Sequence, residues 1–428
     1  MLVIKCLYVI YLFNKGLLAN SMMKKISVKP PEPKVRQAAL QETRNRKMAR
    51  SAHAYVQGNT TKFYEWLDGE TGHKLPAGPA IWICGDCHVG NLGPIANTHG
   101  KIDIQIRDLD QTVIGNPAHD LIRLGLSLAT AVRGSNLPGI ITAQMIEQLM
   151  VGYEHAFDDE EIDKEPLPVP PSVKMTMRQA AQRTWKNLAR ERIEGTAPRI
   201  PLGKYFWPLS KEEKIAIETL FEKKTVSHLA TSLSFRDENA VVKVLDAAYW
   251  IKGCSSLGKL RYAVLLDVGN SVSNGKDFCL IDIKEAVLAA APRQPGTQMP
   301  REYAERVVEG GRHLAPYLGE RMIATHLLER SVFLRELLPQ DMKIEIERLT
   351  SDGAKKVAGY LAMVVGNAHA RQMDASTRKL WRRELQQNRS KSLDAPSWLW
   401  SSIVELTTSH EGGYLEHCRK YALSTAAA

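Results

Sequence analysis

The chain has 428 residues, of which 44% are hydrophobic and 24% charged; this is the composition of a folded globular protein and excludes a largely disordered one. Lysine and arginine outnumber aspartate and glutamate by 57 to 47, so the formal net charge is +10. That excess favours anionic partners such as nucleotide phosphates, nucleic acid or anionic lipid, although it also simply keeps a large protein in solution. The scattered cysteines argue against a disulfide framework and favour a reducing compartment; they are Cys6, Cys84, Cys87, Cys254, Cys279 and Cys418.

The N-terminal segment contains one short apolar run, Leu7–Phe13, flanked by lysines. A membrane-spanning helix needs ~20 apolar residues, so this run is too short to cross a bilayer. It resembles a weak signal peptide, but an extended start with Met22 or Met23 as the true initiator explains it as well. We favour the second interpretation, and expect residues 1–33 to be disordered or misassigned and the protein to be cytoplasmic.

The sequence pattern over 34–163 predicts helices and strands joined by polar loops. A helical pattern rich in basic residues runs over 34–67 and ends where Pro76, Gly78 and Pro79 interrupt it. The next predicted elements are, in order, a buried strand over 80–84, a polar loop over 85–93, an alternating strand over 101–107 and a helix over 118–133.

The next segment, residues 164–234, begins with the stiff proline-rich connector 164–171. A basic helical stretch follows, with Lys174, Arg178, Arg183, Lys186, Arg190 and Arg192. These side chains could contact nucleic acid, but a solvated helix face explains them more simply, and the interleaved aromatic residues typical of single-strand binding are sparse. Nucleic acid is therefore an unlikely partner that the sequence does not exclude.

From about residue 240 the pattern becomes β-rich. Strands are predicted over 247–252 and 260–266 around a glycine-bearing turn, and a third over 277–284 after the hairpin signal Asn274-Gly275. The remaining predicted elements are a helix over 301–315, two short strands within 322–337, a helix over 353–373 and a C-terminal helix after 395.

Two acidic loops carry the strongest chemical signal. One reads Cys84-Gly-Asp-Cys-His-Val-Gly-Asn91, and the other begins Arg107-Asp-Leu-Asp110. Phosphoryl transfer uses one carboxylate to orient the nucleophile, and an amide with a second carboxylate to hold Mg²⁺, which prefers oxygen ligands. An Asp and an Asn five positions apart, as Asp86 and Asn91 are, suit a single loop that does both tasks.

At these residues the chain resembles the aminoglycoside and choline phosphotransferase branch of the kinase-like superfamily, over about 40 residues. That branch has a Gly-Asp-x-x-x-x-Asn loop, then a strand that ends in Asp, then a Gly-x-Pro-x-x-Asp-Leu segment. The matching positions are Gly85, Asp86 and Asn91 in the loop, Asp108 after the strand, and Gly115, Pro117, Asp120 and Leu121 in the last segment.

The resemblance implies a role for each acidic position. Asp86 would be the catalytic residue, and Asn91 and Asp108 would be Mg²⁺ ligands. Asp110, which stands where protein kinases keep a glycine, would be a further ligand, and Asp120 would hold the loop. ATP would be the cofactor, with a hydroxyl-bearing acceptor, preferably a small molecule. The plainer alternative is that Asp86 and Asp108 are only turn or cap residues.

A second set of candidates lies downstream. Glycines in the turn 253–258 would let backbone amides approach phosphates. Lys284, at the end of the third strand, would pair with the phosphates and with a glutamate of the next helix, Glu305 or, preferably, Glu309. The candidate nucleotide-binding residues are Gly253, Ser255, Ser256, Gly258, Lys284, Glu309 and Arg371. Arg371 is included because its planar guanidinium suits bidentate phosphate binding, whereas His369 is as readily a helix-end histidine that caps carbonyls.

The order of these parts is reversed relative to an ordinary kinase, because Lys284 follows the acidic loops. We therefore expect an α+β, two-lobed, protein-kinase-like fold that is circularly permuted and carries extra helices; a structure with Lys284 far from Asp108 would refute this. The expected segments are the extension 1–33, the catalytic-loop part of a large helical lobe over 34–163, a connector and helical insertion over 164–234, a small β-rich nucleotide-binding lobe over 235–345, and helices completing the large lobe over 346–428.

The whole chain also resembles a bacterial family catalogued only as domain of unknown function 2252. Its signatures are Lys47-Met-Ala-Arg-Ser51, Cys84-Gly-Asp-Cys-His88, Asp108-Leu-Asp110, Asp120-Leu-Ile-Arg123, the turn 253–258, Ile283-Lys-Glu-Ala286, Arg306-Val-Val-Glu-Gly310 and His369-Ala-Arg371. Leu92 and Leu109 stand where that family usually has phenylalanine, and these apolar replacements change little.

Other functions fit parts of the pattern. Cys84-Gly-Asp-Cys87-His88 matches the haem-attachment motif, which needs export, and also suits a redox pair or a Cys/His metal site. A pseudokinase would bind nucleotide without turnover, and the same residues could transfer AMP instead of phosphate.

Overall fold

The computed structural model describes residues 35–69, 75–133, 137–157, 167–183, 199–233, 236–269, 278–342, 349–387 and 395–421. Within these ranges, no helix combines the length and the apolar character needed to cross a membrane. The predicted extension 1–33 lies outside the described residues.

Helices make up more of the described residues than strands do. In chain order they are α1 (Arg36–Met48), α2 (Ala52–Gly58), α3 (Thr60–Leu67), α4 (Ala118–Arg133), α5 (Ile140–His155), α6 (Pro171–Gln182), α7 (Lys211–Phe221), α8 (Lys224–Thr231), α9 (Tyr303–Leu314), α10 (Pro316–Gly319), α11 (Ser351–Ala370), α12 (Ala375–Gln386) and α13 (Ser397–Tyr421).

Within the described residues, ten strands form two two-stranded sheets and one larger sheet. They are β1 (Ile81–Ile83), β2 (Leu92–Ala96), β3 (Ile102–Ile106), β4 (Val113–Gly115), β5 (Phe206–Trp207), β6 (Val242–Trp250), β7 (Arg261–Val268), β8 (Phe278–Glu285), β9 (Met322–Leu327) and β10 (Arg330–Leu337). Strand β1 pairs with β4, and β2 pairs with β3, both antiparallel. The remaining six form an antiparallel sheet in the order β5-β6-β7-β8-β10-β9.

The larger hydrophobic core joins the two small sheets to helices from both ends of the chain. Its tightest contact is between α5 and α11, where a Cβ added at Gly152 would overlap the carbonyl oxygen of Gly359. Helix α4 lies inside this core, and nearly all of its residues are buried. Because β1 and β4 rest on this helical frame, the loop that follows β1 has a rigid base.

A second core lies on one face of the six-stranded sheet. Helices α7 and α8 cover this face through Ile217, Leu220 and Val226, and α1 contributes Leu40. These helices lie within the segment 164–234, predicted to be a connector and helical insertion, and they pack on the sheet itself. They do so because alternate residues of β7, Tyr262, Val264, Leu266 and Val268, form an apolar face that needs a cover.

The predicted α+β class is confirmed, and the helices and strands predicted within the described residues are present. The helix over 118–133 has the predicted ends, the helical pattern over 34–67 is divided into α1, α2 and α3, and the other elements have shifted ends. Strand β2 was missed, since Gly93 and Pro94 made residues 85–93 resemble a continuous loop. Proline is tolerated there because β2 belongs to a two-stranded sheet and has a free edge.

Candidate functional site

The loop after β1 is held by Asp120, at the start of α4. One carboxylate oxygen of Asp120 accepts the Cys84 amide at 2.7 Å, and the other accepts the Gly85 amide at 2.9 Å. Gly85 has a φ of +72°, and a Cβ there would collide with the carbonyl of Gln111, so only glycine fits. The predicted loop-holding role of Asp120 is therefore confirmed.

His369 supports the same anchor from behind. It is fully buried at the end of α11, with Nε2 3.2 Å from an Asp120 carboxylate oxygen and Nδ1 2.8 Å from the hydroxyl of Tyr153. The side chain therefore acts on the loop only through Asp120. This imidazole binds Asp120 and Tyr153 and does not cap helix carbonyls, which was the alternative role.

Asp86, the predicted catalytic residue, lies inside the loop. One of its carboxylate oxygens, Oδ1, accepts from the buried guanidinium of Arg123 at 2.9 Å, and the Asp86 side chain is only 7% exposed. Its other oxygen, Oδ2, is 3.9 Å from Nε2 of His88. Burial lowers the pKa of His88 to about 4, so this imidazole is neutral at pH 7.

The β2–β3 hairpin brings Asn91 and Asp108 to one end of the site. The amide of Arg107 donates to the Asn91 carbonyl at 2.7 Å, just before the two strands pair, and Asp108 follows immediately. The Asn91 side-chain nitrogen donates to the Asp86 carbonyl at 3.0 Å. Because the nitrogen is engaged in this way, the amide oxygen of Asn91 is the atom left for a ligand.

Lys284 reaches this end of the site from β8. Its ammonium lies 3.0 Å from Oδ1 of Asp108 and 2.7 Å from Oδ1 of Asp110, and its side chain is 3% exposed. Burial alone would raise the pKa of Asp108, but the charge of Lys284 and a hydrogen bond with Asp110 hold it well below its ordinary value. Burial and the neighbouring charge of Asp108 raise the pKa of Asp110. The two shifts have opposite directions, so Asp108 is the stronger acid of the pair.

The predicted pairing of Lys284 with Glu309 is wrong. Glu309 lies on the exposed side of α9, where it binds Arg312 at 3.1 Å and His313 at 3.3 Å. Helix α9 instead contributes Arg306, whose guanidinium donates to the Asp110 carbonyl at 3.0 Å. The helix therefore fixes the acidic loop by binding a backbone carbonyl of that loop. The side chains that bind Lys284 are two carboxylates of the same loop.

The turn 253–258 lies opposite the acidic loops. Gly253 and Gly258 have φ values of +81° and +96°, which explains glycine at both positions. Ser255 borders the open space, whereas Ser256 is buried and donates to the Lys252 carbonyl at 2.8 Å. Ser256 therefore shapes the turn and does not face a ligand. A Cβ at Gly258 would face Gln37 of α1, so this end of the turn rests on the N-terminal helix.

The space between the turn and the acidic loops is a cleft of about 390 Å³. Side chains from α1, α2, both acidic loops, the turn and the six-stranded sheet surround it. Its lining consists of Lys47, Arg50, Ala54, Gln57, His88, Gly90, Asn91, Arg107, Asp108, Lys252, Gly253, Cys254, Ser255, Arg261 and Arg335. Of the predicted site residues, Gly253, Ser255, Asn91 and Asp108 line this cleft, and Lys284 contacts it through Asp108.

The sheet side of the cleft is built on a buried carboxylate, Asp282. Arg261 binds both oxygens of Asp282, at 2.8 and 2.6 Å, and Arg335, directly across from Asp282 on β10, binds Oδ2 at 3.0 Å. Arg335 also donates to the carbonyl of Arg107 at 2.8 Å, which joins the sheet to the β2–β3 hairpin. The two arginines hold the pKa of Asp282 far below its ordinary value, against the effect of burial.

Arg371 does not line this cleft. It lies just beyond α11, where its guanidinium donates to the Leu314 carbonyl at 3.4 Å. The predicted phosphate contact is therefore absent from this arrangement, because the residue points toward the end of α9. Burial lowers the pKa of Arg371 from its ordinary value.

Cys84 and Cys87 are both buried and neither is in a disulfide. The hydrogen bond with Cys87 and burial raise the pKa of Cys84 well above its ordinary value. The same hydrogen bond lowers the pKa of Cys87, but burial and the charges of Asp120 and Asp86 together outweigh it, and the net shift of the pKa is upward. Since the thiolate is the reactive form, this environment does not favour a redox or metal role for the pair. Over the part of the chain that the structure describes, no group of three or more His, Cys, Asp and Glu residues could hold a metal ion.

Sequence reasoning missed most of the cationic lining. Lys47 and Arg50 were visible in the Lys47–Ser51 signature, yet nothing there showed that α1 approaches the turn 253–258. Arg261 and Asp282 could have been noticed as charges within otherwise apolar strands, a pattern that usually indicates a buried pair.

Comparison with known proteins adds a family and nothing finer. The family model described as "Uncharacterized protein conserved in bacteria (DUF2252)" matches residues 36–420, which is most of the chain. No curated protein and no solved structure matches. The matched range includes the acidic loops and the glycine turn that line the cleft described above, and the strand that carries Lys284. The chain therefore belongs to the DUF2252 family.

Proposed function

We propose that the chain is an ATP- and Mg²⁺-dependent phosphotransferase that acts on a hydroxyl-bearing small molecule. The observation that carries this proposal is the contact of Lys284 with Asp108 and Asp110, at 3.0 and 2.7 Å, at the edge of a cationic cleft. A lysine of a β-rich lobe that meets a carboxylate of a helical lobe beside a phosphate-sized space is the central part of a kinase-like site.

The same contact supports a circularly permuted kinase-like fold. The two residues are 176 positions apart, and the lysine follows the acidic loop in the chain. In this proposal the six-stranded sheet with α9 is the small lobe, and α4, α5 and α11 belong to the large lobe. Such a permutation requires that α11 lie beside the loop that carries Asp86. Helix α11 packs closely against α5, and its residue His369 contacts Asp120, which holds that loop.

Two oxygen ligands are available for Mg²⁺. They are the amide oxygen of Asn91 and the ionised carboxylate of Asp108, whose side chain is 35% exposed toward the cleft. Mg²⁺ commonly takes one or two protein ligands and completes its shell with water and phosphate oxygens, so this pair fits it. When bound, the ion would neutralise phosphate charge.

In this proposal the remaining residues of the site bind the phosphates and position the acceptor hydroxyl. Lys284 moves from its carboxylate partners toward phosphate oxygens, and the amides of the turn 253–258 approach the phosphate chain. Asp86 orients the acceptor hydroxyl through Oδ2, the oxygen that Arg123 does not hold. The protein contributes mainly preorganised charge, since phosphoryl transfer needs little covalent help.

A pseudokinase is the second candidate, and the burial of Asp86 favours it. With 7% of its side chain exposed and one oxygen tied to Arg123, Asp86 has little access to an acceptor. A protein of this kind would bind Mg²⁺ and nucleotide without turnover. Transfer of AMP is a further alternative that uses the same residues.

The deciding measurement is calorimetry of ATP binding with and without Mg²⁺, on the wild type and on Asp108→Ala. Asp103→Ala is the matched control, because Asp103 is exposed on β3 and does not line the cleft. Mg²⁺-dependent binding that only Asp108→Ala loses supports the site, and its persistence in that variant refutes it. Phosphorus NMR of the products then separates ADP, from phosphoryl transfer or hydrolysis, from AMP with pyrophosphate; unchanged ATP indicates the pseudokinase.

A further inference from the structure

The lining of the cleft is unusual in its chemistry. Six of its fifteen residues are lysine or arginine, one is a carboxylate, and the only apolar side chains are those of Ala54 and Cys254. Pockets for drug-sized ligands are mostly lined by hydrophobic and aromatic side chains, with a few polar groups that give orientation. Over the residues that the structure describes, no phenylalanine, tyrosine or tryptophan side chain lines this cleft.

The aromatic ring next to the cleft is already covered. Trp250, at the end of β6, is buried, with the Lys252 ammonium 4.3 Å and the Arg261 guanidinium 4.9 Å from its ring. Phe206 also stacks on Trp250, with the ring centroids 5.7 Å apart. Lys252, Arg261 and Phe206 therefore cover this ring, so a base cannot lie against it.

The cations divide into a compensated and an uncompensated group. Arg261 and Arg335 share the buried carboxylate of Asp282. Lys47 instead donates to the Gly253 carbonyl at 2.7 Å, and the ion pairs found among the described residues include no carboxylate partner for Lys47, Arg50 or Arg107. Burial and the nearby charges of Arg50 and Arg261 lower the pKa of Lys47, as expected of a cation among cations. An anion in the cleft would relieve this repulsion.

We propose that this cleft recognises its ligand through a chain of phosphates, with Lys47 and Arg50 as the principal contacts, and that it does not select for a nucleoside base. The inference rests on the proposed function for the identity of the site, and it narrows the phosphoryl donor to the class of polyphosphates. Inorganic polyphosphate and nucleoside triphosphates both carry the recognised group, so a base contributes little to the affinity.

Calorimetry with three probes tests the proposal on the full-length protein in the presence of Mg²⁺: ATP, inorganic tripolyphosphate and adenosine. Tripolyphosphate should bind within about threefold of ATP, and adenosine should show no measurable binding, because the phosphates provide the charge-assisted contacts. Measurable binding of adenosine, or tripolyphosphate binding more than about 30-fold weaker than that of ATP, would overturn the proposal.

The variants Lys47→Gln and Arg50→Gln test the named contacts. Each should weaken tripolyphosphate and ATP alike by about tenfold or more, the effect of losing one charged hydrogen bond. Arg46→Gln is the matched control, since Arg46 lies on the same helix but pairs with Glu42 on the exposed side and does not line the cleft. Equal losses in all three variants, or a loss for ATP alone, would contradict the assignment. An unchanged unfolding midpoint in each variant verifies that the fold is intact.

The two proposals fail separately. If tripolyphosphate binds as expected but ATP is never consumed, the phosphotransferase proposal fails and phosphate recognition stands. If ATP is consumed but adenosine competes with it, the phosphotransferase proposal stands and the base-independent recognition is wrong.

Discussion

The buried ion pair between Arg123 and Asp86 allows a prediction about stability as well as chemistry. The exposed fraction is 1% for the arginine side chain and 7% for the aspartate side chain. Arg123→Met removes the counter-charge and also the donor that reaches the Val56 carbonyl at 2.6 Å. The carboxylate of Asp86 would then remain buried without its partner, while the methionine fills most of the vacated volume.

The structure sets the expected magnitude. Removing one partner of a buried pair costs about 3–5 kcal/mol of unfolding free energy, because a desolvated charge is left uncompensated. On the same helix, Arg133 pairs with Glu411 at 2.6 Å, but these side chains are 54% and 37% exposed. A pair of that kind contributes about 0–1 kcal/mol, so Arg133→Met is the matched control.

Urea unfolding followed by tryptophan fluorescence provides the assay, with the midpoint and slope compared between variants. We expect a large downward shift for Arg123→Met and almost none for Arg133→Met. Asp86→Asn should restore part of the loss when combined with Arg123→Met, since neither charge then remains buried. A shift below about 1 kcal/mol for Arg123→Met would show that Asp86 reaches solvent, and the argument from its burial would be refuted.

Three further predictions concern packing, the sheet side of the cleft and pH. Gly152→Ala should destabilise the protein by more than about 2 kcal/mol, because the added Cβ meets the Gly359 carbonyl. Gly412 is a helical position with open space around it, so Gly412→Ala should be neutral or stabilising by up to about 1 kcal/mol. Thermal unfolding of the two variants distinguishes these outcomes. Asp282→Asn should lower the unfolding free energy by about 3 kcal/mol or more, since two buried arginines lose their counter-charge, and an unchanged urea midpoint would contradict this. Burial lowers the pKa of His119 to about 4, despite the nearby Asp120, while the unfolded chain binds this proton near pH 6.5. The unfolding free energy that comes from keeping this imidazole neutral is therefore present above pH 6.5 and lost as the pH falls toward 4, by up to about 1.4 kcal/mol per pH unit. Between these pH values, His119→Gln should reduce the slope of unfolding free energy against pH by that amount.

The local sequence pattern was sufficient to predict helices and strands and to identify the acidic loops of the site. The alternation over 101–107 and the turn signal at Asn274-Gly275 predicted strands that are present, because each depends only on near neighbours. Asp120 could be assigned to loop support for the same reason, since its motif lies next to the loop that it holds.

Long-range pairing could not be predicted in this way. Lys284 was matched with a glutamate of the following helix, yet its partners lie 174 and 176 residues earlier in the chain. Nothing local shows that Arg335 will meet Asp282, because that depends on the order of strands in the sheet. The cationic character of the cleft emerges only when four separate parts of the chain come together.

The contact of Arg335 with the Arg107 carbonyl, 228 residues apart, has a consequence for synthesis. A ribosome releases the acidic loops long before it makes β8 and β10, and domains generally begin to fold in the order in which they emerge. During that interval Asp108 and Asp110 stand together without the ammonium of Lys284. A nascent chain arrested before residue 284 would therefore carry two neighbouring carboxylates without the ammonium that lies beside them in the finished protein.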